Sequence, residues 1–336
     1  MTETTVYSFT DGFQLGNGQF SRERRELPTP QAHDLLVQVA ATAVNPVDTK
    51  LRQTLLGPHA HILGYDGAGV ILAKGPQVDD FQVGDQVYYA GTTQRQGSYA
   101  TAQLIDSRLV AAKPTNLTMT AAAAMPLTTL TAWELLFERM GFPAVKNANA
   151  GRRLLIINGA GGVGSIMSQL AHWSGFTVAA TASPKHFPWL QQHQVDLPLD
   201  YHHDLPTQLT DAGWPQVDAV AILTEPTAYF SLAAAVIAPL GHVGSIVEAT
   251  NDLPLRLLKA KSASWHWEYM FTKTDYQMEL ATQGQILARA AHLFTTGELR
   301  SNVTTVLAGL SNDNLLTAHR LLETGHTQGK IVLQVI

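Results

Sequence analysis

The rhythm of apolar and polar positions changes near Thr118, and the two rhythms predict two kinds of structure. Before that point, short apolar runs are separated by glycine and proline. Residues 35–39, 69–72 and 86–89 read as strands, and Gly57-Pro58, Gly75-Pro76 and Gly84-Asp85 read as the turns between them. Short strands with closely spaced turns predict a small, mostly antiparallel β domain. The mixed-charge cluster Arg22, Glu23, Arg24, Arg25 and Glu26, ahead of Pro28 and Pro30, reads as a solvated turn.

After Thr118, helix formers occupy 120–124 and 132–137 on either side of Pro126. Strand and helix patterns then alternate. Strands are expected at 154–158, 177–181, 198–200, 217–223 and 242–247, and helices at 163–173, 187–193, 205–210 and 227–237. This order predicts a parallel sheet with helices on both faces, and strands free of charge fit burial from both sides. The aromatic run Trp265, Trp267, Tyr269 and Phe271 reads as an edge strand of the same sheet. The tail adds an amphipathic helix from Gln283, another near 313–323, and a closing strand at 331–335 that can return to the first domain. The fold class is therefore α/β. A β-rich domain at 1–123 and 274–336 flanks a doubly wound domain at 124–273.

Composition narrows the chemistry. A chain of 336 residues suits two domains, because single cores stop growing near roughly 250–300 residues. With 22 basic against 27 acidic residues the net charge is −5, which argues against a general nucleic-acid binder. There are no cysteines, so disulfides, cysteine-ligated zinc, iron–sulfur clusters and a thiol nucleophile are excluded. Neither a secretory pattern nor a good membrane span is visible, and the expectation is a soluble, cytoplasmic protein.

The most informative stretch is Leu154-Leu155-Ile156-Ile157-Asn158-Gly159-Ala160-Gly161-Gly162-Val163-Gly164. A buried strand runs into G-x-G-x-x-G and then into an amphipathic helix. Gly159 is expected to permit the tight turn, Gly161 to let the backbone approach a pyrophosphate, and Gly164 to let helix pack on strand. Gly162 and Val163 open the helix, whose N-terminus favours an anion. This predicts dinucleotide binding. NAD sites usually carry a carboxylate at the end of the next strand. Here that region reads Thr181-Ala182-Ser183-Pro184-Lys185, with no acid before Asp196. Ser183 and Lys185 suit a 2′-phosphate, so NADPH is expected. Ser183-Pro184 also reads as a helix N-cap with Lys185 solvated, and both readings can hold together.

Several N-terminal segments carry a resemblance. Asn45-Pro46-Val47-Asp48-Thr49-Lys50-Leu51-Arg52 resembles the "N-x-x-D-x-x-x-R" segment of quinone oxidoreductases in the medium-chain dehydrogenase/reductase superfamily. Leu63-Gly64-Tyr65-Asp66-Gly67-Ala68-Gly69 is similar to that superfamily's "lGhEgaG" element, and Phe81-Gln82-Val83-Gly84-Asp85-Gln86-Val87 to its "f-x-v-G-D-x-V" turn. Gly97-Ser98-Tyr99-Ala100, residues 127–133 and Gly329-Lys330-Ile331-Val332 also fit, so the resemblance spans essentially the whole chain. It is closest to the zinc-type alcohol dehydrogenase-like group. It implies a GroES-like catalytic domain, an inserted Rossmann domain and a substrate bound between the two.

The departures from true alcohol dehydrogenases matter. Where those enzymes place the Cys, His and Cys ligands of catalytic zinc, this chain has Asn45, Tyr65 and approximately Leu127. Amide, phenol and alkyl groups do not replace thiolate and imidazole around zinc, so no metal is expected. Without a Lewis acid, alkoxide formation from an alcohol is poorly supported, whereas quinones and enones accept hydride with delocalised charge.

The resemblance implies that Asn45 orients substrate and nicotinamide, that Tyr65 donates its O–H, and that Asp48 braces local backbone or Arg52. It also implies that Thr131, Tyr201 and Lys330 lie near the cofactor. Each has a plainer reading: an Asn-Pro turn, a packed tyrosine, an internal cap for Thr131, ordinary packing for Tyr201, and a solvent-facing Lys330 if the last strand is an edge. His59/His61 and His202/His203 read as surface pairs and not as metal ligands. The expected activity is a zinc-independent, NADPH-dependent reduction of a quinone or enone by a homodimer joined through 265–271. A 2-alkenal or enoyl reductase and a non-catalytic NADPH-binding sensor remain the alternatives. Neither nucleic acid nor membrane is an expected partner.

Overall fold

Strands dominate the N-terminal half in the computed structural model, which describes residues 2–336. The strands there are β1 (Thr2–Ser8), β2 (Ser21–Leu27), β3 (Asp34–Val44), β4 (Asp66–Lys74), β5 (Gln86–Ala90), β6 (Ala102–Asp106) and β7 (Val110–Ala112). The first helices are α1 (Pro46–Thr54), α2 (Met119–Ala123) and α3 (Pro126–Trp133), the last running on as a π-helical stretch through Glu134–Arg139. Then come β8 (Arg153–Ile157), α4 (Gly162–Ser174), β9 (Thr177–Ala182), β10 (Leu197–Asp200), β11 (Val217–Ile222), β12 (Ile237–Ser245) and β13 (Ser264–Trp267). The tail holds helices Leu280–Thr295 and Asn312–Glu323 with β14 (Val303–Ala308) and β15 (Lys330–Gln334).

The chain divides into two compact units, one of Met1–Leu127, Phe271–Gly297 and Ser301–Ile336, the other of Thr128–Met270 and Glu298–Arg300. The first unit contains a seven-stranded sheet in the order β14-β15-β3-β4-β5-β7, with β6 also paired to β3. The closing strand returns as the pattern predicts: β15 lies antiparallel to β3, with Ile331 opposite Val44. It is flanked by β14 on its other side, so it is not an edge. The cluster at Arg22–Glu26 is strand β2 and not a turn. It pairs antiparallel with the largely buried β1, and its charges point outward in alternation, which the outer strand of a two-stranded ribbon tolerates.

The second unit is a six-stranded sheet, β10-β9-β8-β11-β12-β13, parallel throughout. Its strands bury both faces, and Leu155, Ile157, Val220, Ile222, Phe230 and Val243 share one core. Only Ser264–Trp267 of the aromatic run forms the edge strand; Met270 and Phe271 turn inward and are buried. The helix expected at 227–237 is shorter, Phe230–Val236, because Pro226 opens a 3₁₀ turn and Ile237 already belongs to β12. No helix among the described residues is long and apolar enough to cross a membrane.

Candidate active site

In the second unit, β8 delivers the glycine loop. The left-handed conformation falls on Asn158, with φ of 71°, and not on Gly159. Gly159 is needed for a different reason: a Cβ there would lie 2.6 Å from the Ala180 Cβ of the neighbouring strand. Gly164 meets its expectation, since a Cβ would sit 2.4 Å from the Asn158 carbonyl oxygen and 2.6 Å from that of Gly159. At Gly161 the nearest neighbour of a Cβ would be the Asn158 side chain at 3.5 Å, so this backbone is open to approach. Gly161 caps α4, and Gly162, Val163 and Gly164 form its first turn. The positive end of the helix dipole therefore lies in the loop, where a pyrophosphate binds well.

At the tip of β9, the Ser183 and Tyr201 hydroxyls are 2.9 Å apart. Ser183 stands at the N-cap position of the Pro184–His186 turn, yet its side chain makes no capping bond. Its hydroxyl is turned to Tyr201, which is 41% exposed, and Lys185 is exposed beside them. The register adds a carboxylate that linear reading missed, because Asp200 on β10 lies opposite Ala182. That carboxylate is engaged by the backbone N–H of His202 at 3.0 Å, by His202 Nδ1 at 2.5 Å and by His203 Nε2 at 3.5 Å. Thr131 is buried on α3 in the same unit.

The first unit gathers the remaining candidates around a buried charge cluster. Asn45 ends β3 and opens α1, with Pro46 in the first helical position. Asp48, wholly buried, accepts hydrogen bonds from the Asn45 N–H at 2.8 Å and the Gly64 N–H at 2.9 Å. It is thus a brace for backbone. Arg52 is not its partner: that guanidinium bonds Glu323 and lies over the Phe13 ring. Burial pushes the Asp48 carboxyl up to about 7, against the opposing pull of those two N–H groups and of Lys330.

Asp66, also fully buried, is the residue that the sequence analysis left without a role. Its carboxylate accepts from Asn45 Nδ2 at 2.8 Å, Lys330 Nζ at 2.9 Å and the Leu127 N–H at 2.7 Å. Lys330 also donates to the Asn45 side-chain oxygen. The lysine is 3% exposed, which corrects the solvent-facing reading, because β15 is interior to its sheet. The available signal was a lone acid in the glycine-rich strand Asp66-Gly67-Ala68-Gly69, where no charge belongs without a partner. Tyr65 is 4% exposed, packs edge-on to Phe271 at 5.0 Å, and lines a cleft of about 240 Å³.

His59 and His61 do not converge with a third ligand, and His61 packs against Phe9. Among the described residues no group of three or more His, Cys, Asp or Glu is arranged to hold a metal ion.

Comparison with known proteins agrees with this architecture. Residues 31–123 match the alcohol dehydrogenase GroES-like domain, and residues 189–333 match the zinc-binding dehydrogenase family. A zinc-type alcohol dehydrogenase-like protein of Staphylococcus aureus is 37% identical over 98% of this chain and 99% of its own. The NADPH-dependent alkenal/one oxidoreductase of Arabidopsis thaliana is 28% identical over 92% of this chain and 74% of its own. Among solved structures, a putative zinc-dependent alcohol dehydrogenase protein from Rhizobium etli superimposes with a TM-score of 0.94, at 34% identity over 99% of this chain and 98% of that one. The quinone oxidoreductase from Coxiella burnetii gives 0.82, at 25% identity over the whole of both chains.

These names speak of zinc, and the residues present do not fit it. The Asn45 amide bonds Asp66 and Lys330 and is no thiolate, Leu127 offers an alkyl group, and a lysine ammonium already sits against the carboxylate. The glycine loop, by contrast, does fit a nicotinamide cofactor. A GroES-like β unit, a parallel nucleotide-binding sheet and end-to-end similarity together establish that the chain belongs to the medium-chain dehydrogenase/reductase superfamily, as an oxidoreductase of its zinc-type alcohol dehydrogenase-like group.

Proposed function

We propose that the protein is a zinc-independent, NADPH-dependent reductase of quinones or other conjugated carbonyls. The observation that carries this reading is the Asn45–Asp66–Lys330 cluster, in which the buried cation is an ammonium held by a carboxylate. An ammonium of this kind gives no open coordination position for an alcohol. Reduction of a conjugated carbonyl spreads charge over the substrate, and hydrogen-bond donors suffice for it.

A reduced nicotinamide supplies the hydride when bound. The first turn of α4, at Gly162 and Val163, is suited to its pyrophosphate. Ser183, Tyr201 and Lys185 are suited to its 2′-phosphate, while the two histidines occupy Asp200 and blunt its repulsion. In the first unit, Asn45 is the polar orienting group, held rigid by Asp66 and Lys330. Tyr65 delivers the proton to the substrate oxygen, and Asp48 fixes the strand-to-helix corner that carries Asn45. A 2-alkenal reductase is the second reading, favoured by the similarity to the Arabidopsis enzyme.

The test is oxidation of NADPH and of NADH with a small quinone in the presence of a chelator. Turnover insensitive to the chelator and at least tenfold better with NADPH is expected. Lys185→Ala and Ser183→Ala should each erode that preference several-fold. Turnover abolished by the chelator refutes the proposal. The reading includes a homodimer built on the β13 edge, where Trp267 is 48% exposed. Trp267→Lys should sediment as a monomer, and an unchanged profile counts against that edge.

A further inference from the structure

The cleft beside Tyr65 has a wall whose polar groups are unevenly committed. Two cations reach it, and both are already paired: Arg25 with Glu23 at 2.7 Å and Arg95 with Asp34 at 2.8 Å. Thr93 and Gln94 both bond Asp275, at 2.6 and 3.2 Å. Two residues of the wall each carry a buried side-chain nitrogen with no hydrogen-bond partner, Gln96 Nε2 and His61 Nε2. Their backbones are pinned. The Gln96 carbonyl accepts from Gln103 Nε2 at 2.8 Å, the adjacent Gly97 N–H bonds Ile62 O at 2.8 Å, and His61 exchanges two backbone bonds with Phe9. The backbone that carries both side chains is therefore fixed, and buried polar groups are costly to leave unpaired.

From this we infer that the cleft selects compact, neutral conjugated ketones bearing additional oxygen acceptors, with the Gln96 amide N–H as the specificity-determining donor. The inference rests on the reductase reading above and sharpens it. An anionic substrate is disfavoured, because the arginines are already neutralised. The volume of about 240 Å³ is below the roughly 300–1,000 Å³ of ordinary small-molecule sites, so a single ring fits better than a long chain. Tyr65 serves the carbonyl that is reduced, Gln96 donates to a second oxygen, and His61 meets a third as donor or acceptor according to its tautomer. A substituted quinone carries such a set of oxygens. A 2-alkenal has one oxygen and an alkyl tail, and that tail would lie against Gln96 and His61 and leave both unpaired.

Two measurements test this. In steady-state NADPH oxidation, Gln96→Leu should lower kcat/KM about tenfold on a methoxy-substituted 1,4-benzoquinone and leave a 2-alkenal unchanged or improved, since one directed hydrogen bond is removed. An equal loss on both substrates, or none, overturns the assignment. Independently of turnover, the side-chain amide signals of Gln96 in wild-type protein, assigned by their absence in Gln96→Leu, should shift on titration with 4-methoxyphenol. A silent Gln96 signal overturns the assignment even if the variant is poorly folded. Shifted Gln96 signals in a protein that reduces none of these compounds sink the reductase reading and leave the cleft's selectivity standing.

Discussion

The two units hold their candidate chemistry in opposite ways. The nucleotide-binding unit also buries polar side chains, Glu134 and Glu268 among them, but the groups suited to a cofactor stand at its rim, in the loop after β8 and at the exposed Ser183–Tyr201 pair. In the GroES-like unit the polar groups are inside: Asn45, Asp48, Asp66 and Lys330 are each at most 3% exposed. Rim groups can be altered at little cost to folding. A buried carboxylate that loses its cation pays its full desolvation penalty. The difference separates residues suited to recognising a ligand from residues that hold the fold.

The contrast is broken most severely at Lys330. Lys330→Met leaves Asp66 buried without its ammonium and should destabilise the protein by about 3–5 kcal/mol in urea unfolding. Adding Asp66→Asn should recover part of that loss. Lys185→Ala, at the other unit's rim, should stay within about 0.5 kcal/mol of wild type in the same experiment. Equal effects of Lys330→Met and Lys185→Ala would erase the distinction drawn here.

Within the nucleotide loop the comparison can be made finer. Gly164→Ala drives a methyl group toward two backbone carbonyls and should cost about 1–3 kcal/mol along with cofactor binding. Gly161→Ala meets only a flexible side chain, so its melting temperature should barely move. Its NADPH affinity, read by nucleotide fluorescence, should still fall about tenfold if the pyrophosphate approaches there.

A last effect is a pH dependence in the GroES-like unit. The Asp48 carboxyl titrates near 7 in the fold against an ordinary value of 3.8, so the native state holds a proton that the unfolded chain releases. Its contribution to stability is therefore full below about pH 4 and is lost as pH rises through about 7. Asp48→Asn should flatten that part of the stability profile. An identical slope in both proteins would show that Asp48 is already ionised at low pH.

Much of the nucleotide unit was legible because its information is local. The strand, the three glycines and the helix lie in consecutive residues, and most expected strands and helices stand within a few positions of where the pattern put them. What linear reading misassigned there was the turn residue, because an asparagine can also adopt the left-handed conformation and the need for Gly159 comes from a neighbouring strand. Asp200 was overlooked for a similar reason, since only the β9–β10 register brings it beside Ala182. In the other unit, β2 was hidden by its charges and β14 by weak alternation, both being strands that water covers on one side.

Sequence alone determined the class of fold, the dinucleotide loop and the lack of thiolate ligands, because these depend on residue types and on spacings of a few positions. Tertiary structure alone decided what surrounds Asn45. Asp66 and Lys330 are 264 positions apart, and their pairing exists only because β15 returns to lie against β3, which is itself paired with β4. A charge buried in an apolar sheet must find its counter-charge somewhere, and only the folded topology says where.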